Sequence, residues 1–330
     1  MPLFEIGYRR YEGERTPHAM RWWPITRTGL TIAWRSKLLK RLVLASFLPF
    51  MYFGWVFFVI GRVTDPSASQ GTLAFEVAEA LLGSSLVEQL HTDPATVRSA
   101  VWAIVFSQFA TYVQLLIAGL VAAIAGPSLI ANDLKSRAFL IYFARPISPL
   151  DYVIGKAGVL VALLASVTLL PSLFLYTLSI LFSPSLETIT QTFPVAIAIV
   201  ASTIGAIVPV SLFVLTLSSL TSQSRFATVT WFVACLFGPL THIILQQTQG
   251  LRGNGWTFFV SLPHTVRTFQ MGLYDVGGHA DKLAASPEVT QVIEGFQPTE
   301  SPLRAGVWLA IVAILCLFIL LRRVDSPTRI

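Results

Sequence analysis

The 330 residues hold 54% hydrophobic and only 12% charged side chains, about half the ~25% charged share of a soluble domain. A chain this apolar cannot cover a soluble fold with polar surface, and it buries too much to remain disordered. Composition excludes an ordinary soluble enzyme and points to an all-α, polytopic membrane protein.

Residues 1–41 come first, polar and basic, without the early apolar core of a cleavable signal peptide. Their second half, Arg21–Arg41, is a basic aromatic run in which Ile25, Ile32 and Leu39 share one helical face. A membrane-spanning helix needs ~20 apolar residues, and six stretches qualify, at about 42–60, 101–126, 157–182, 193–220, 226–245 and 305–321. None carries Asp, Glu, Lys or Arg in its central part. Pro194 and Pro209 predict a kink or break in the fourth, and Pro49, Pro171 and Pro239 interrupt backbone bonding elsewhere. Residues 42–321 thus form a six-span domain, and 322–330 a short tail.

Of the Lys and Arg residues, nine lie in 1–41, four in 127–156, one at Arg225 and three in 322–330, seventeen on the side of the termini against six opposite. The positive-inside rule places both termini in the cytoplasm. The net charge of +6 follows from this topology and implies no nucleic acid. Outside lie residues 61–100, with a predicted helix over Leu73–Leu90, and 246–304, rich in Gly and Pro. Within the latter, Trp256–Leu262 is apolar but too short to span, a candidate to dip into the interface.

Inside the membrane, Ser107, Thr111 and Gln114 recur at i, i+4 and i+7 on the second span, with Gln108 beside them. One face of a helix carries them. They either hydrogen-bond a neighbouring helix or line a path. Ala118, Ala122 and Gly126, and likewise Ala201 and Gly205, are spaced for close helix contact. No carboxylate sits at mid-membrane, which argues against a proton- or sodium-coupled carrier. The one Gly-Lys pair, Gly155-Lys156, is followed by Ala157 rather than Ser or Thr, so the chain has no phosphate-binding loop. The five histidines and two cysteines are scattered and form no metal-site spacing. The chain is expected to be no enzyme by itself and to bind no cofactor or metal.

The loop 127–156 is apolar and charged together. Pro127 can open a helix, Leu129–Phe143 can continue it, and Pro146 stops it, giving a helix across the membrane face that could fill a groove on a soluble partner. The pattern Ile130…Asp133…Leu140…Arg145-Pro146…Tyr152…Gly155-Lys156 resembles the cytoplasmic loop of type 2 ATP-binding-cassette permeases, in the branch of the multicopper-enzyme-maturation permease. The six spans and inside termini are similar too, and Arg21–Arg41 resembles that family's elbow helix.

The resemblance implies a permease subunit of the bacterial inner membrane, with an elbow helix, a cytoplasmic coupling helix and short extracytoplasmic helices. It implies two copies of a separate ATPase that binds ATP and Mg, and a second copy of this chain or a related permease. Asp133, Lys135, Arg137, Phe139, Arg145, Pro146 and Lys156 would couple to the ATPase. The basic-aromatic tail Gly7–Arg15 could touch the ATPase, or lie in solvent or on lipid. Export is favoured by the same analogy. Two other functions fit the sequence: a non-transporting mechanotransmitter acting on an outer partner through 61–100 and 246–304, and a structural subunit of another membrane complex.

Overall fold

The computed structural model describes residues 20–65, 72–92, 94–138, 147–248, 257–283 and 301–325. Among the described residues every regular element is helical. In order they are α1 (Trp23–Ala33), α2 (Lys37–Ala45), α3 (Leu48–Val63), α4 (Leu73–Leu82), α5 (Ser84–Thr92), α6 (Pro94–Gln108), a π-helical segment (Phe109–Gln114), α7 (Leu115–Lys135), α8 (Pro149–Val167), α9 (Leu169–Leu181), α10 (Glu187–Ser219), α11 (Ser224–Gln247), a 3₁₀ turn (Thr257–Val260), α12 (Leu262–Leu273), α13 (Val276–Leu283) and α14 (Pro302–Asp325). Six stretches are long and apolar enough to cross a membrane: Lys37–Val63, Val97–Lys135, Pro149–Leu181, Glu187–Ser219, Ser224–Gln247 and Pro302–Asp325. The protein is an all-helical, multi-pass membrane protein.

Each span is longer than its apolar stretch, because helices continue through polar flanks until a cap stops them. α8 starts at Pro149, well before the apolar run from 157, since Ser148 and Asp151 form a reciprocal capping box. The breaks also differ from those expected. Pro194 and Pro209 both sit inside the unbroken α10. Pro127 does not open a new helix either: it lies inside α7, which carries the second span on to Lys135. The predicted helix Leu73–Leu90 is two helices, because Gly83 turns the chain at φ 86°. Arg21–Arg41 is likewise divided. Ser36 accepts from the backbone N–H of Leu39 and starts α2 afresh, so Leu39 is buried while Ile32 is 61% exposed.

Two apolar cores occupy the two ends of the bundle. One gathers Leu39, Ile130, Tyr152, Leu320 and Val324 at the end where residues 20 and 325 lie. The other joins Phe57, Trp102, Phe106 and Leu175 to Phe75, Leu90 and Val276 of the short helices. At that opposite end Arg98, 4% exposed, donates to Thr188 Oγ1 at 2.6 Å and Gln191 Oε1 at 3.2 Å, fastening α6 to α10. The most buried span is α10, and α11 and α14 are the least buried. Close approach depends on small residues, as the spacing predicts. A Cβ on Gly126 would strike Val214 and Leu160, and one on Gly205 would strike the Phe269 ring.

Candidate functional site

Two regions carry polar chemistry, and span two connects them. The first is at the end of the bundle where residues 20 and 325 lie. Asp133 Oδ2 meets Lys156 Nζ at 2.7 Å and accepts from Tyr152 Oη at 2.7 Å. The two charged side chains are only 16% and 11% exposed, and Tyr152 is fully buried. Burial of an ion pair is tolerated when further hydrogen bonds complete it, as the tyrosine does here. The far end of α7 is thereby clamped to the first turns of α8.

One turn below this clamp, Ser218 of α10 enters the α7 backbone. Its hydroxyl donates to Pro127 O at 2.7 Å and accepts from Ile130 N and Ala131 N at 3.2 and 3.0 Å. A side chain inserted into the helical ladder is a recognised site of bending. The helix then ends in a Schellman turn: Ala138 N bonds Asp133 O and Arg137 N bonds Leu134 O, with Arg137 at φ 54° in the place glycine usually takes. Lys135 and Arg137 are exposed there.

The sequence-predicted coupling residues therefore divide. Asp133 and Lys156 come together and satisfy each other within the chain. Lys135 and Arg137 face outward beside them. Phe139, Arg145 and Pro146 lie outside the described residues.

The second region is at mid-span. The π-helical segment Phe109–Gln114 meets the break between α8 and α9, where Thr168 turns at φ −118°, ψ −62°. Gln114 Nε2 donates to Thr168 O at 2.8 Å and Gln114 Oε1 accepts from Ser172 Oγ at 3.0 Å. Of the predicted polar stripe, Gln114 is the member that bonds another helix. Ser107 and Thr111, both buried, donate to Ile104 O and Ser107 O of their own helix. The amide nitrogen of Gln108 is buried without a partner. Thr111 and Gln114 also border a cavity of about 450 Å³ lined by spans two to five and α12.

α12 is the part that span counting misses. The 3₁₀ turn packs on α11, and Val260 and Ser261 lie against Gly238 inside that span. The chain reverses at Ser261, whose hydroxyl accepts from His264 N to start α12, and α12 returns until Gly272 meets Pro302 at the start of α14. Residues 257–260 of the apolar run Trp256–Leu262 form the descending limb of this re-entrant hairpin, and Trp256 lies outside the described residues. The signal available in the sequence was Ser261-Leu262-Pro263, a cap and first-turn proline directly after that run. The hairpin brings polar groups into the bundle. His264 stacks on His242 of α11 with ring centroids 4.0 Å apart. Arg267 donates to Tyr112 Oη and lies over the Tyr112 ring, 4.3 Å from its centroid. Gln270 is 5% exposed, borders the cavity, and its Oε1 has no partner.

No family model matches the chain, and no curated protein matches it.

Proposed function

We propose that this chain is the transmembrane subunit of a type 2 ATP-binding-cassette transporter in a bacterial inner membrane, with both termini in the cytoplasm. ATP and Mg bind to a separate ATPase, present in two copies, and a second copy of this chain or a related permease completes the assembly. The observation that carries the proposal is the Asp133–Lys156–Tyr152 clamp at the end of span two. It makes one stiff unit of α7 and α8, presents Lys135 and Arg137 beside the loop that would meet the ATPase, and leads back along α7 to the inserted Ser218 and the Gln114–Thr168 contact. A push on the loop would reach mid-membrane along this chain of contacts, and coupling of that kind requires an element with two discrete arrangements.

The neighbouring pieces suit the same assignment. α1 lies against α8, with Thr26 Oγ1 donating to Gly155 O at 2.9 Å and Gly29 against Val159. It would serve as the elbow helix, with Trp23 and Ile32 exposed toward the membrane interface. The coupling contact would be the exposed helix end at Lys135–Arg137 with the loop after it, rather than a separate helix beginning at Pro127.

The test is site-directed cross-linking. Cys235 and Cys316 are replaced by Ala, a single cysteine is placed at Lys135, and a thiol-reactive cross-linker is applied to native membranes. Capture of a phosphate-loop ATPase is expected. Capture of no ATPase from 135, while a cysteine at exposed Leu303 gives the same products, would contradict the proposal.

A further inference from the structure

The cavity of about 450 Å³ falls within the range of small-molecule sites, ~300–1,000 Å³, and its construction is asymmetric. On span two Tyr112 and Leu116, and on α11 Phe232 and Leu236, border it while remaining 41–66% exposed. In a membrane those outward surfaces touch hydrocarbon, so the mouth opens sideways between spans two and five. The far wall is different. Thr111, Gln114, Thr203 and Gln270 are each no more than 5% exposed, and Gln270 brings its unpartnered carbonyl oxygen to the wall.

A cation stands against the lining residue Tyr112. Arg267 lies over Tyr112, in the middle third of span two. No carboxylate pairs with it among the described residues. An arginine at membrane depth is costly and marks a site for a negative partner. The stacked rings of His242 and His264 leave Nδ1 and Nε2 buried without partners, further polar groups on the same hairpin and on α11.

We propose that this cavity binds an anionic lipid entering sideways from the membrane, with an acyl chain between spans two and five and the acidic head group on Arg267. As the substrate class of the permease, the inference rests on the preceding proposal. Binding is measured without an ATPase, so the two can fail separately.

The full-length chain in detergent micelles is titrated with dioleoylphosphatidylglycerol, dioleoylphosphatidylcholine and inorganic phosphate, and bound lipid is read by native mass spectrometry. Three variants are compared: Arg267→Gln, Arg267→Lys and Gly119→Leu. Gly119 borders the cavity, and a Cβ there meets nothing within 4 Å, so the leucine fills the space without a clash at its base. The wild type should prefer the anionic lipid by about tenfold or more, the scale of one charge-assisted contact. Arg267→Gln should lose that preference and Arg267→Lys should keep it. Gly119→Leu should weaken both lipids at an unchanged melting temperature. Equal binding of the two lipids to the wild type would overturn the proposal. So would undiminished binding to Gly119→Leu, displacement of lipid by inorganic phosphate alone, or a Gly119→Leu effect confined to dimer mass, which would make the mouth a seam between copies.

Discussion

Gln114 donates its side-chain amide to the backbone carbonyl of Thr168 at 2.8 Å, and it does so where both helices leave α geometry. The π-helical turn of span two and the break in span three face each other across this bond. Pro171 explains half of the pairing: it has no N–H for the carbonyl four residues back and obstructs α geometry there. The carbonyl left without that donor is Val167 O; Thr168 O keeps the backbone bond from Ser172 N at 3.2 Å, and Gln114 Nε2 reaches the same oxygen across the break. Single π turns inside helices are frequent at functional sites.

Replacing Gln114 by Leu should lower stability in detergent by ~0.6–2 kcal/mol, the scale of an interhelical bond in a membrane. A melting curve of the purified chain reads this directly. An unchanged midpoint would mean that the bond contributes nothing to holding spans two and three together.

The buried ion pair makes a sharper prediction. Asp133→Ala leaves Lys156 buried without its partner, and loss of one member of such a pair costs ~3–5 kcal/mol. Asp133→Ala with Lys156→Met removes both charges and should recover most of that loss. Tyr152→Phe, which removes one hydrogen bond to a charged group, should cost about 1.5–3 kcal/mol. Chemical denaturation of these proteins beside the Lys156→Met single variant tests the set, and additive losses in the double variant would argue against direct coupling.

Ser218→Ala removes the hydroxyl that holds Pro127 O, Ile130 N and Ala131 N. The buried backbone groups lose a partner, at about 1–3 kcal/mol, unless α7 straightens to bond Ala131 N to Pro127 O. Hydrogen exchange distinguishes the outcomes. Faster exchange at 130–131 marks unsatisfied groups, and slower exchange marks a regular helix and a lost bend.

The spans were legible because nothing else in a sequence resembles twenty uncharged apolar residues. Their ends were less so, since caps such as Ser148–Asp151 extend a helix beyond the apolar run. Pro127 shows why local rules fail here. A proline ordinarily ends a helix, but Ser218, from 91 residues away, bonds Pro127 O, Ile130 N and Ala131 N in the turn that follows, and the helix continues. No local pattern contains that information. The stripe Ser107–Gln114 was visible as a face, whereas its division into self-bonded and interhelical members depended on where span three breaks. Arg267 was hidden most completely: counted among loop charges, it is carried into the bundle by a hairpin that no span-length criterion detects.

Sidedness is testable by itself. In a background without Cys235 and Cys316, Lys135→Cys should resist an impermeant thiol reagent in intact cells and Gly277→Cys should react, since a side chain at 277 meets nothing within 4 Å. The reverse labelling would invert the assigned topology.

The central claim is most directly tested by purifying the tagged chain from its native membranes in mild detergent and measuring ATP hydrolysis in the eluate. Arg137→Gly is the informative partner, because glycine fits the left-handed position at φ 54° and so removes the cation while sparing the turn; it is combined with Lys135→Ala. The account predicts a phosphate-loop ATPase that copurifies with the wild-type chain and hydrolyses ATP. The double variant should melt no lower than wild type yet lose most of that ATPase. A wild-type eluate with no ATPase, or a double variant that retains it in full, would contradict the account.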